Sequence, residues 1–262
     1  MRYRIERLSF GGALDQSFLL LRDHFVPMVS VFAAVLVPYT VCAQLLSVPD
    51  PVQAPGRMLG LFGLLLIFLG VMPLAQLTLN AMILDAYLGA PNDWRSALRR
   101  ARSGFMAYLG TASLMMLALI PLMMLLFLPG VYFAICWSLI GPIAMLEQLS
   151  GRAALSRSRA LVKGHFWRVF GMVLVTALVG AVSTFLASLL THVPVLGALV
   201  SGALQAVLST FTAALLVVLY IDLRCRHENF DLRLLAAHIA RSSSAPPSMA
   251  AAAARSSDAP SV

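Results

Sequence analysis

The sequence predicts an all-α fold: a polytopic transmembrane bundle of six helices, built as three repeats of an amphipathic segment plus a helical hairpin. Three observations predict it. Six apolar runs, at 25–48, 58–84, 105–128, 131–149, 166–190 and 199–221, each approach or exceed the ~20 residues that a helix needs to cross a hydrocarbon core. Charged residues make up 11% of the 262-residue chain and hydrophobic residues 60%, with a mean hydropathy of +0.87. A soluble domain carries a charged share of ~25%. Finally, of 19 Lys and Arg residues, only Arg57 falls outside the segments on one side of the runs. Lipid offers the backbone no hydrogen-bond partners, so spans are helices or closed barrels. These runs are too long and unbroken to be barrel strands of ~10 alternating residues.

Taken in order, residues 1–24 read as an amphipathic N-terminal segment and 25–221 as the six-span domain. Residues 222–240 read as a second amphipathic helix, which Asn229 could cap, with Leu232, Leu235 and Ile239 on one face. The Ser-, Ala- and Pro-rich stretch 241–262 reads as a disordered tail. Basic residues cluster at the N-terminus, the second and fourth loops and the C-terminus, so the positive-inside rule places both termini in the cytoplasm. The first apolar run is longer than a signal-peptide core, and no cleavable leader is expected. On the far side, Leu128-Pro129-Gly130 reads as a tight turn, and 191–197 is a short loop containing Pro194 and Gly197. Pro73, Pro121 and Pro142 each remove a backbone donor and are expected to kink their spans.

The repeat shows at three boundaries: Arg22-Asp23-His24-Phe25, Arg102-Ser103-Gly104-Phe105 and Lys163-Gly164-His165-Phe166. Each places a cation three residues before the Phe that starts a span. Ala13-Leu14 and Ala154-Leu155 stand twelve residues before that Phe; Ala97-Leu98 stands about one turn closer. The even-numbered spans end in acids: Asp85, Glu147 and Asp222. We expect structural ion pairs there, Asp85 with Arg95 or Arg99, Glu147 with Arg152, and Asp222 with Arg224 and Arg226.

Between the fourth and fifth spans, Arg152, Arg159 and Lys163 share one helical stripe, and Leu155, Ser158, Leu161 and Val162 share an adjoining face. This is the pattern of a helix lying in the membrane interface. Trp94 and Trp167 stand where interfacial anchors belong. Arg99, Arg102, Arg152, Arg157, Arg159, Lys163 and Arg224 together make an Arg-rich rim. Arginine pairs bidentately with carboxylate and phosphate, so this rim is the candidate site for anionic lipid headgroups or phosphate. The net charge of +8 is accounted for by orientation and by attraction to anionic lipid, ~1 kcal/mol per basic residue, and nucleic acid is not an expected partner.

Inside the spans, Gln76 and Asn80 lie four apart, and Gln205 lies in the sixth. Such groups either hydrogen-bond between helices or line a polar path. No Asp, Glu, Lys, Arg or His lies deep in a span, which argues against proton-coupled pumping. Small residues form stripes at Ala177, Gly180, Ala181 and Thr184 in the fifth span and at Gly202, Ala206 and Thr210 in the sixth, predicting that these two spans pack closely. Cys42, Cys136 and Cys225 have no metal-ligand spacing and read as packing residues or free thiols. No cofactor or metal is expected.

The stretches MLEQLSGRAALSRSRALVKGHFWRVFGMVL (145–174) and LYIDLRCRHENFDLRLLA (219–236) resemble the polytopic membrane domain fused to some bacterial glycerophosphoryl diester phosphodiesterases, and its stand-alone YciC-like inner-membrane relatives. The resemblance rests on Glu147, Ala154, Leu155, Arg157, Ser158, Leu161, Lys163, Gly164, Phe166, Trp167, Tyr220, Asp222, Arg224, Glu228 and Asp231. It implies a bacterial inner-membrane protein. The soluble phosphodiesterase barrel is not expected here, because no hydrophilic stretch could form one, and its catalysis is not carried over.

The leading expectation is a non-enzymatic membrane protein acting through its Arg-rich cytoplasmic rim, on anionic lipids or on a membrane protein partner. The alternative is a small-solute or lipid transporter with a path between repeats, near Gln76, Asn80 and Gln205. A membrane enzyme has the least support: His24 and His165, at corresponding boundary positions, are the nearest to a catalytic pair, and they read as interfacial residues.

Overall fold

The computed structural model describes residues 9–46, 55–88, 93–189 and 194–228. Among these it has nine helices: α1 (Phe10–Asp23), α2 (Phe25–Leu46), α3 (Pro55–Leu88), α4 (Trp94–Leu125), α5 (Phe127–Cys136), α6 (Ile140–Leu146), α7 (Gly151–Val162), α8 (Phe166–Leu189) and α9 (Pro194–Glu228). Six units are long and apolar enough to cross a membrane: α2, α3, α4, α5 with α6, α8 and α9. The chain is a polytopic helical bundle. The tail and most of the expected helix 222–240 lie outside the described residues; 222–228 continue α9 as one helix.

The core lies at the end of the bundle that carries the acids. There α9 packs against α1, α2, α3 and α8, burying Ala213 through Leu215, Val217 through Ile221, and Leu223. The facing positions are Met28, Phe32 and Leu36 of α2 and Leu79, Ile83 and Tyr87 of α3, all buried. Toward the other end, large apolar side chains point outward: Leu59, Ile67, Met124, Leu128 and Phe185 are each more than half exposed. Contiguous apolar surface on this scale is a lipid-facing surface; in water it would drive association.

Several local expectations need correcting. The turn between the third and fourth spans is at Leu126, not at Leu128-Pro129-Gly130. Pro129 is the third residue of α5, where no helical donor is required. The 191–197 stretch is shorter than read, because α9 already begins at Pro194. The second amphipathic segment is continuous with its span, so α4 runs 32 residues from an Asp93 cap, whose carboxylate accepts from the N–H groups of Arg95 and Ser96.

The fourth span is broken. Residues 137–139 form turns between α5 and α6. Pro142 supplies the reason: it has no N–H to give the Ser138 carbonyl, so the helix restarts at Ile140 with Pro142 in its first turn.

The amphipathic segments each dock one stripe on protein, while Phe18 and Leu19 of α1 stay exposed. α1 buries Ala13, Ser17, Leu20 and Leu21; α4 buries Ala97 and Ala101; α7 buries Ala154, Leu155, Ser158, Leu161 and Val162. These buried stripes are docked on the bundle. Gly164, at φ +87, then supplies the left-handed step that turns the chain from α7 into α8.

The small-residue stripes also divide differently from the expectation. Ala177, Gly180, Ala181 and Thr184 of α8 are exposed. The stripe Gly202, Ala206 and Thr210 is buried, but at Gly202 it meets α2. A Cβ on Gly202 would lie 2.5 Å from Thr40 Oγ1 and 2.9 Å from Val37 Cα. Close approach of α9 is therefore to α2, and Thr40 Oγ1 donates across the gap to the Ala198 carbonyl at 2.9 Å.

Candidate functional site: a charged rim and a polar cavity

Each acid at the end of an even-numbered span holds an arginine, though not always the expected one. Arg100, rather than Arg95 or Arg99, forms a bidentate pair with Asp85, with Nη1 donating to Oδ1 at 3.0 Å and Nη2 to Oδ2. The helical turn explains the choice: α4 points Ala97 and Ala101 inward, Arg100 along the same side, and Arg99 and Arg102 outward. Arg157, rather than Arg152, pairs with Glu147, through Nε to Oε2 at 2.7 Å and Nη2 to Oε1 at 3.0 Å. Arg100 and Arg157 both stand three residues after the buried Ala of an Ala-Leu pair.

Glu147 is shared with α9. Tyr220 donates its hydroxyl to Oε1 at 2.7 Å, and Arg224 Nε stands 4.0 Å from the same oxygen. Burial alone would push the Glu147 carboxyl up, but hydrogen bonds from Arg157 and Tyr220 and the charges of Arg157 and Arg224 hold it below its ordinary value. Asp222, with a fully buried carboxylate, pairs with Arg226 as expected and also with Arg168, whose Nε donates to Oδ2 at 2.9 Å. Arg168 further donates to the carbonyl of Ser9, the cap of α1, so one guanidinium ties α1, α8 and α9 together.

These pairs sort the candidate cations into two groups. Arg157 and Arg224 are partly buried and committed to Glu147. Arg99, Arg102, Arg152, Arg159 and Lys163 are exposed. Arg159 lies over the Phe133 ring at 5.4 Å, which leaves its outer face open. Trp94 and Trp167 flank this set, 53% and 79% exposed. Exposed cations bracketed by exposed tryptophans are what a headgroup layer accommodates.

His165 packs its ring against His227 at 5.0 Å, and its Nδ1 is buried without a partner. Burial, then the neighbouring His227 and Arg226, lowers its pKa, with Asp222 opposing. Among the described residues, no three His, Cys, Asp or Glu side chains converge in a way that could hold a metal ion.

Deeper in the bundle lies a cavity of about 510 Å³ between α3, α4, α5–α6, α8 and α9. Gln76 and Asn80 line it; Gln205 does not. Tyr108 lines it too, and so do the hydroxyl-bearing Ser138, Thr176, Ser183, Ser209 and Thr212. Sequence reasoning missed these, because a lone Ser or Thr in a span ordinarily bonds its own helix. Arg100 and Arg168 were missed as ion-pair partners, and Tyr220 as a hydrogen-bond donor to Glu147; the i+3 offset from Ala97 and Ala154 was the available signal for Arg100 and Arg157.

The helical bundle with its paired rim defines a polytopic α-helical membrane protein. Within that class, the chain belongs to the family described as a domain of unknown function (DUF8558), whose model matches residues 101–244. The match covers the Glu147 and Asp222 clusters and all of the fourth to sixth spans. No curated protein and no solved structure matches the chain.

Proposed function

We propose that this is an integral protein of the bacterial inner membrane, with both termini cytoplasmic, that binds anionic lipid headgroups through its exposed cationic rim. The observation that carries the reading is the division of the rim. Asp85, Glu147 and Asp222 are met by Arg100, Arg157 and Arg168, so the exposed Arg99, Arg102, Arg152, Arg159 and Lys163 are not needed to neutralise them. Juxtamembrane cations gain ~1 kcal/mol each near an anionic surface. Placing them on the cytoplasmic side follows the positive-inside rule. The likeness to the membrane domain of glycerophosphoryl diester phosphodiesterases and to YciC-like proteins supports an inner-membrane setting. The reading assigns the chain no chemical turnover and no nucleic-acid partner.

The test uses the two flanking tryptophans as reporters. The protein is reconstituted in zwitterionic nanodiscs carrying a minor fraction of brominated lipid. Brominated phosphatidylglycerol should quench Trp94 and Trp167 more strongly than brominated phosphatidylcholine at the same mole fraction. Equal quenching by the two headgroups would remove the reading.

A further inference from the structure

The cavity inside the bundle carries an inference separate from the rim. Asn80 lies five residues before Asp85 on α3, about 7.5 Å along the helix from the ion-paired end. Thr212 lies ten residues before Asp222 on α9, about 15 Å in. The cavity therefore reaches toward the middle of a hydrocarbon core of ~30 Å. Its volume, about 510 Å³, is within the ~300–1,000 Å³ usual for small-molecule sites.

The side chains around it state what such a ligand must offer. Ser138, Thr176 and Ser183 donate their hydroxyl protons to backbone carbonyls three residues earlier, at 2.9, 2.8 and 2.7 Å. Their donors are spent within their own helices. Asn80 differs. Its Oδ1 accepts from Gln76 Nε2 at 3.4 Å, which orients the carboxamide, and its Nδ2 is buried with no partner although the residue is only 2% exposed. An unmet amide donor in an apolar setting costs roughly 1–3 kcal/mol.

The broken fourth span makes room for this donor. Gly141, in the first turn of α6, faces Asn80: a Cβ there would stand 2.9 Å from Nδ2. Apart from the hydroxyl-bearing Tyr108, Ser209 and Thr212, the remaining wall is mostly apolar, with Met72, Met115, Leu119, Trp137 and Leu216. Among the described residues, no Asp, Glu, Lys, Arg or His lines the cavity. A charged ligand would lose its hydration there with nothing to replace it.

We propose that this cavity is a binding site for an uncharged, largely apolar molecule that presents a carbonyl oxygen to Asn80 Nδ2. The carbonyl satisfies the orphaned donor, the apolar body fills the Met and Leu walls, and the Trp137 ring offers a flat face. Carbonyls of this kind come to a membrane from two sources, a quinone-type ring or an acyl ester.

Matched probes test the chemistry. Trp137 is the reporter, in full-length protein carrying Trp94→Phe and Trp167→Phe. Menadione has two ring carbonyls; 2-methylnaphthalene has a similar shape and none. The site should bind menadione saturably and about tenfold more tightly than 2-methylnaphthalene, the discrimination of one hydrogen bond worth ~1.4 kcal/mol. Methyl decanoate, but not decane, displacing menadione would extend the site to acyl esters; failure of both to displace it would confine the site to ring carbonyls. Asn80→Leu should erase the preference for the carbonyl, and Gly141→Ala should weaken menadione by crowding Nδ2. Equal binding of the carbonyl and carbonyl-free probes, or no saturable binding of any, as expected of a cavity holding only water, overturns the proposal. That comparison within the parent protein stands whether or not a variant folds.

Discussion

Ser158 on α7 donates a 2.7 Å hydrogen bond to the carbonyl of Cys136, the last residue of α5. In an unbroken helix that carbonyl would accept from the Ile140 N–H. Here Ile140 bonds Trp137 at 3.4 Å instead, and the freed carbonyl is met from another element. The amphipathic helix thus stabilises the break that gives the fourth span its shape. Gly151 at the start of α7 makes a second such tie, its N–H donating to Thr111 Oγ1 of α4 at 2.7 Å.

Ser158→Ala leaves a buried carbonyl unsatisfied. It should lower stability by roughly 1–3 kcal/mol, read as a shift in the unfolding midpoint during SDS titration of protein in mixed micelles. Ser156→Ala, at an exposed position of the same helix, should leave the midpoint unchanged.

Arg157→Gln and Lys163→Gln should separate fold from surface. The first takes the bidentate guanidinium from a Glu147 carboxylate that is only 15% exposed, leaving it Tyr220 and the more distant Arg224, and it should cost roughly 1–3 kcal/mol. The second changes an exposed cation and should cost nothing measurable. In a double-mutant cycle, Glu147→Gln combined with Arg157→Gln should cost less than the sum of the two.

Acid should weaken the fold in two stages. His165 is held below its ordinary 6.5, so the unfolded chain takes up this proton more readily, and stability falls as pH drops below about 6.5. Glu147 is held below its ordinary 4.5, so its contribution is complete above that value and is lost as pH falls further. His165→Asn should remove the upper stage and Glu147→Gln the lower, in unfolding midpoints measured from pH 8 to pH 3.

Gly202→Leu and Gly180→Leu should behave oppositely despite similar sequence settings. The first drives a side chain into Thr40 and the α2 backbone, at an overpacking cost of roughly 1–3 kcal/mol. The second has nothing within 4 Å of its Cβ and lies at the wall of the cavity, where a side chain has room, and thermal stability in detergent should stay the same.

The apolar helices and the acids at their ends were legible, because a lipid setting imposes long apolar runs and leaves charges to their ends. A run such as 166–190 has no other stable form, and α8 occupies nearly all of it. Partner choice was less legible. Arg99 and Arg100 are adjacent in sequence, and only the burial of Ala97 and Ala101 decides which one meets Asp85. The apolar stripe of α7 was read as membrane-facing because hydrophobic periodicity says that a face is buried, not what buries it. The same limit hid that Gly180 lines the cavity instead of a seam between α8 and α9. Asn80 and Gln76 were visible as polar groups, but the half-open cavity they line takes its walls from several separate elements, and no local pattern encodes that.

The most direct test of the divided rim is native mass spectrometry of the protein released gently from its own membrane, compared with the variant Arg99→Gln/Arg102→Gln/Arg152→Gln/Lys163→Gln. The account predicts that the parent protein retains anionic lipid in a defined stoichiometry, and that the variant loses it while unfolding at the same SDS midpoint. A parent protein carrying only an unselective lipid mixture, or a variant that keeps its anionic lipid, would contradict the account.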